Sequence, residues 1–177
     1  MGYSQFFVSG YYSMNKNNIT HLLQYCATGV LFYTLYENEE EQFSISTLVG
    51  PPEMRIHTKT ATYFVKTMEQ QPVINSKRLI QNEQGETTAI LRKCKEKEYL
   101  LQDKEGDVIN FQEENGFFGT SGEQEIFHAK RIENLRGLPE YHTKPYYDLT
   151  YGYQVVFNET VSEQRKVWVG SFPMLWW

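Results

Sequence analysis

Apolar and polar residues alternate at every second position through much of this chain, in short runs separated by turn residues. Phe43-Ser44-Ile45-Ser46 is the plainest case, and period-two patterning of this kind predicts strands with one face buried. Val30 to Tyr36 is β-branched and aromatic. The acidic stretch Glu37 to Glu41 follows as a turn, and Phe43 to Leu48 returns, giving a hairpin with a charged tip. Pro51-Pro52 ends it, because proline cannot donate to a strand ladder. A second extended stretch runs from Met54 to Met68, and Pro72 breaks the chain again. Near the N-terminus, Tyr3 to Met14 reads as extended chain interrupted at Gly10. Ile19, Leu22, Leu23 and Cys26 recur at helical spacing, with Asn17-Asn18 placed to cap and Gly29 to terminate. A short helix is therefore predicted there, with a strand as the competing reading. Glu125 to Ile132 reads as a strand or a helix start, and residues 134–150 as loop. Tyr153–Phe157 and Lys166–Val169 form a last hairpin across Asn158–Arg165, and the tail Phe172 to Trp177 is apolar to its end.

The clearest signal is an internal echo. Leu79-Ile80-Gln81-Asn82-Glu83-Gln84-Gly85-Glu86 is answered by Leu100-Leu101-Gln102-Asp103-Lys104-Glu105-Gly106-Asp107, 21 residues later. Asn or Asp at the first turn position bonds the following backbone, and Gly at the fourth accepts a left-handed conformation. Each copy is read as strand–turn–strand, with Thr87 to Lys95 after the first turn, Val108 to Phe111 after the second, and Arg92 to Glu98 joining the units. Asp103 to Asp107 superficially suggests a calcium loop, but its Gly stands fourth rather than sixth and no terminal Glu follows in register, so a turn explains it better.

These patterns predict a single, mainly β domain over residues 1–177. Eight to eleven antiparallel strands form a meander that closes into a barrel or a sandwich, with at most one or two short helices. Composition agrees: hydrophobic residues are 40%, charged residues 22%, and thirteen Tyr and eleven Phe raise the aromatic share to 15%. Flat amphipathic rings suit a pleated, half-buried surface. Cys26 and Cys94 are too few for a disulfide framework. The start, Met1-Gly2-Tyr3-Ser4, lacks the basic and apolar regions of a secretion signal. A cytoplasmic location is therefore expected, with peripheral membrane attachment as an extension of it. The sequons at Asn18 and Asn158 then read as coincidence. No window reaches the roughly 20 apolar residues of a spanning helix.

Tandem strand–(Asp/Asn)-x-x-Gly–strand units, here Ile80 to Glu86 and Leu101 to Asp107, resemble those of the tubby-like superfamily, which includes LURP-one-related proteins and phospholipid scramblases. The resemblance covers about a fifth of the chain, counting flanking strands. It implies a closed twelve-stranded barrel threaded by a hydrophobic C-terminal helix, and a role at membrane surfaces or in binding phosphoinositides. The chain departs from this pattern at Phe172 to Trp177, where the apolar tail is short and Pro173 suits a helix interior badly.

Net charge is −5, unevenly spread. Residues 51–100 carry nine Lys/Arg against six Asp/Glu, whereas residues 101–150 carry five against ten. The overall acidity argues against nucleic-acid binding, which needs dense positive charge, while the basic middle leaves room for a local anionic ligand. Arg92, Lys93, Lys95 and Lys97 are the anion- or lipid-binding candidates, since a regular strand would put the three lysines on one face. Tyr146, Tyr147 and Tyr151, in a tyrosine cluster with Tyr141 and Tyr153, are candidates for a partner surface. So are Trp176 and Trp177, which suit half-wet boundaries. His21, His57, His128 and His142 show no metal spacing, and no hydrolase elbow, phosphate loop or dinucleotide fingerprint occurs. No catalytic residue, metal or cofactor is assigned. The leading expectation is a non-enzymatic binding module for an anionic membrane surface or a protein partner, and composition sets no oligomeric state. A lipocalin-like carrier of a small apolar ligand is one alternative. An orphan enzyme built on a Cys–His pair, such as Cys94 with His57 or His128, is another.

Overall fold

A computed structural model describes residues 20–27, 30–48, 54–68, 77–138, 144 and 146–172. The strands are β1 (Thr20–Ala27), β2 (Val30–Glu37), β3 (Glu40–Leu48), β4 (Met54–Thr58), β5 (Thr62–Met68) and β6 (Lys77–Gln81). They continue as β7 (Thr87–Lys95), β8 (Glu98–Asp103), β9 (Gly106–Glu113), β10 (Gly116–Ser121), β11 (Gln124–Arg131) and β12 (Asp148–Phe157). A seven-residue helix, α1 (Glu163–Val169), comes last. Every strand pairs antiparallel with its sequence neighbours, and β1 pairs β12 from Thr20↔Val155 to Cys26↔Asp148, so the sheet closes into a twelve-stranded barrel. The segment Tyr3 to Met14 lies outside the described residues.

Closure follows from the alternation. On β7, Ala89 and Leu91 are buried while Ile90 and Arg92 face out; on β8, Tyr99 and Leu101 are buried while Leu100 and Gln102 face out. A two-strand repeat returns the chain to the same end of the barrel, so both echoed turns lie at one end. Asn82 Oδ1 accepts from the backbone of Gln84 (3.0 Å) and Glu86 (2.9 Å), and Asp103 Oδ1 from that of Glu105 (2.8 Å). Gly85 (φ 81°) and Gly106 (φ 118°) take the positive φ that the turns require.

Two predicted elements change identity. Thr20–Ala27 is not a helix but follows the competing strand reading: it is β1, pairing with β2 and β12. Lys166–Val169 is not the second arm of a hairpin: it lies in α1, where the Ser162 hydroxyl caps the Arg165 N–H at 3.1 Å. The helix leaves β12 by a turn in which Asn158 Oδ1 accepts from both the backbone and the hydroxyl of Thr160 (3.0 Å each).

α1 stands in the barrel mouth at the end that carries the echoed turns. Val167, Trp168, Val169 and Phe172 belong to the interior core with Leu35, Phe43, Ile45, Ile80 and Leu101. Phe172 stacks on Phe127 with centroids 6.4 Å apart, and Trp168 meets Tyr63 edge-on at 4.9 Å. Burying Trp168 and Phe172 removes much of the apolar surface this segment would otherwise expose, at roughly 25 cal/mol per Å². Polar contacts fix the helix to the rim. Arg165 clasps Asp103, Lys166 reaches Glu37 at 2.8 Å, and Ser162 donates to Glu105 at 2.7 Å. A second, smaller apolar cluster lies outside the barrel, where Ile132, Leu138 and Tyr147 cover Leu23, Tyr25 and Tyr36.

Candidate binding surface

Strands β4 to β7 contain Arg55, Lys66, Lys77, Arg78, Arg92, Lys93 and Lys95, and not one Asp or Glu. Alternation divides this charge. Arg78 points inward, its Nη1 3.3 Å from Met54 Sδ, and Lys93 Nζ lies 6.0 Å from the ring centroid of buried Tyr99. Arg55, Lys66, Lys77 and Arg92 alternate with buried Ile56, buried Val65, half-buried Arg78 and buried Leu91, and face outward. Half-buried Phe64, Leu79 and Ile90 lie between them. Arg55 lies 5.5 Å from the Phe64 centroid. In register, Lys66 pairs with Leu79, Leu79 with Ile90, and Met68, 41% exposed, with Lys77.

Lys77 pairs directly with Arg92 across β6 and β7. Like charges placed opposite one another on a sheet destabilise it. Arg92 relieves little of this: its Nη2 reaches Gln102 only at 3.5 Å, and its buried Nε makes no hydrogen bond. The outer wall of β4–β7 is thus a cationic, partly apolar face on a chain whose net charge is −5.

The candidates from sequence are scattered over this frame. Arg92 is on the wall. Lys93, Lys95 and Lys97 do not share a face: a bulge separates Lys93 from Lys95, and Lys97 lies in the turn between β7 and β8. Lys95 is 3.5 Å from Glu98. A bulge and a turn both break the two-residue period on which the shared face depended. Tyr146, at φ 69°, is 97% exposed, whereas Tyr147 packs edge-on against Phe32 at 4.9 Å. Tyr151 lines the interior at the far end of the barrel. Its hydroxyl accepts from Tyr153 at 2.6 Å, and Arg131 lies 4.7 Å from its ring. Burial, then the bond to Tyr151, pushes the Tyr153 phenol up. These tyrosines therefore form no single surface. Tyr141, Trp176, Trp177 and His142 lie outside the described residues.

The remaining groups of the Cys–His alternative have other surroundings. His57 Nδ1 is 3.4 Å from Thr62 Oγ1, and His128 Nδ1 is 2.9 Å from Glu125, with Nε2 3.5 Å from Glu113. Burial, with Glu98 nearby, pushes the Cys94 thiol up, which lowers its thiolate fraction. Among the described residues no group of His, Cys, Asp and Glu is arranged to hold a metal ion. No helix among them is long and apolar enough to cross a membrane.

What sequence reasoning missed is the wall. The excess of basic residues over 51–100 was visible, but their division between inner and outer faces needs the register of four strands. No family model matches the chain, and no curated protein or solved structure matches it.

Proposed function

We propose that this protein is a non-enzymatic binding module of tubby-like architecture, and that the outer wall of β4–β7 seats it on an anionic membrane surface. The carrying observation is the like-charged Lys77–Arg92 pair on a wall without a single carboxylate. Such a pair costs stability alone and is neutralised by a sheet of anionic headgroups. Phe64, Leu79, Ile90 and exposed Met68 give the face an apolar component that a bilayer interface accommodates. The closed twelve-strand sheet and a C-terminal helix packed in its core support the tubby-like reading. The lipocalin-like alternative draws less support, because Trp168, Val169 and Phe172 pack into the core at the helix end and the space left beside them has a charged rim rather than an apolar one.

The test is co-sedimentation with vesicles of phosphatidylcholine, with and without phosphatidylserine. Binding is expected only to the anionic vesicles and is expected to weaken as salt rises. At about 1 kcal/mol per basic residue near an anionic surface, replacing Arg55, Lys66, Lys77 and Arg92 together by Gln should weaken binding by up to about a thousandfold. A Lys93/Lys95/Lys97→Gln variant should lose far less. Equal binding by wild type and the four-site variant overturns the membrane reading, as does retention on neither vesicle.

A further inference from the structure

α1 does not fill the barrel mouth evenly. It leans toward β2 and β3, where Lys166 reaches Glu37 and a Cβ on Gly170 would come within 2.3 Å of the Phe43 ring. On the β5–β8 side it leaves a cavity of about 500 Å³ between the two echoed turns. Tyr63 and Trp168, in edge-on contact at 4.9 Å, form its aromatic inner wall. Glu86, Asp103 and Glu105 stand at its rim with one cation, Lys104.

The rim charge does not cancel. Asp103 is taken up by Arg165. Glu86 and Glu105 each accept from a neutral donor, Asn82 Nδ2 at 2.8 Å and Ser162 Oγ at 2.7 Å. Each therefore keeps most of a carboxylate's roughly four acceptor positions open. Above the aromatic wall, Glu86 and Glu105 outnumber the one lysine ammonium that lines the cavity, Lys104. Barrel mouths are common ligand sites, and roughly 300–1,000 Å³ is an ordinary ligand volume.

We propose that this cavity binds a small organic cation: an ammonium group held by Glu86 and Glu105, carried on an apolar body that rests against Tyr63 and Trp168. The charge-assisted bonds fix the head, and the ring of Tyr63 adds attraction for the cation. The same chemistry belongs to a free alkyl or aryl amine and to a lysine side chain of a partner. The site is independent of the cationic wall and uses none of its residues.

The experiment is an NMR titration of the full chain, following the Trp168 indole N–H, assigned by loss of its signal in Trp168→Phe. The probes are benzylamine, N-acetyl-lysine methylamide and benzyl alcohol, the last an uncharged analogue of the first. Benzylamine or the lysine derivative should shift the indole signal saturably, and benzyl alcohol should bind at least about tenfold more weakly. Tighter binding of benzylamine assigns a free amine, and tighter binding of the lysine derivative a partner's side chain. Glu86→Gln with Glu105→Gln should weaken the preferred amine by about tenfold or more, because Gln still accepts from Asn82 and Ser162 but carries no charge. Lys104→Gln, which removes the competing ammonium, should strengthen it. Equal binding of benzyl alcohol, indifference to the double substitution, or no shift with either amine overturns the proposal.

Discussion

Asp103 and Arg165 meet in a two-point contact: Nη2 to Oδ1 at 2.8 Å and Nε to Oδ2 at 3.1 Å, with both side chains almost fully buried. Nη2 also donates to the Gly106 carbonyl at 3.0 Å. The bond to Asp103 raises the Arg165 guanidinium above its ordinary value although burial opposes it. The carboxylate thus caps its own turn and ties α1 to the barrel rim.

Removing one partner strands the other charge. Asp103→Ala should destabilise the protein by about 3–5 kcal/mol, the usual cost of orphaning a buried ion. Asp103→Leu combined with Arg165→Met should lose clearly less, since the desolvation penalty disappears with the charges. Urea unfolding of the three proteins checks this. A double variant as unstable as Asp103→Ala would count against it.

Gly119 is set by close approach. A Cβ there would lie 2.0 Å from the Phe127 ring, which itself stacks on Phe172, just past α1. Gly119→Ala should cost about 1–3 kcal/mol by overpacking. Adding Phe127→Leu, which withdraws the ring, should make the cost of the alanine smaller in that background. A thermodynamic cycle of midpoints in urea measures the coupling.

His21 sets a pH dependence. Burial holds its imidazole below the ordinary 6.5. Between that lowered value and 6.5 the unfolded chain binds the proton more readily than the folded one, so stability rises with pH through this window. Acidification below 6.5 should therefore weaken the fold by at most about 1.4 kcal/mol per pH unit from this group. His21→Gln should lose that component. Comparing wild type and variant at pH 7.5 and 5.5 isolates it, and parallel losses in the two proteins would refute it.

Much of the barrel could be read from residues alone. Phe43 and Ile45 alternate with Ser44 and Ser46, and β3 buries the first pair. The echoed Asn82 and Asp103 are turn residues as predicted, because Asx bonding and a positive-φ glycine are local chemistry. β1 misled because both its faces are covered. Leu22 points into the barrel, Leu23 and Tyr25 lie under the outer cluster, and period two vanishes from a strand buried on both sides. α1 misled in the opposite way. Val167-Trp168-Val169 is β-branched and aromatic and reads as strand, yet it is helical where it packs into the barrel core. Ser162 followed by Glu163 was the local sign of a helix start. Lys93 and Lys95 were visible as a basic run, but the bulge between them was not.

The pairing of β1 with β12 has a kinetic meaning. The first described strand finds its second partner only in the last one, so Thr20 waits for Val155 before its open side is satisfied. Until β12 leaves the ribosome, the growing chain is a curved, unsealed sheet with two bare margins, each able to recruit foreign strands. Non-local closure of this kind folds slowly. A nascent chain stalled after β11 should therefore depend most on chaperones, and emergence of β12 should end that dependence.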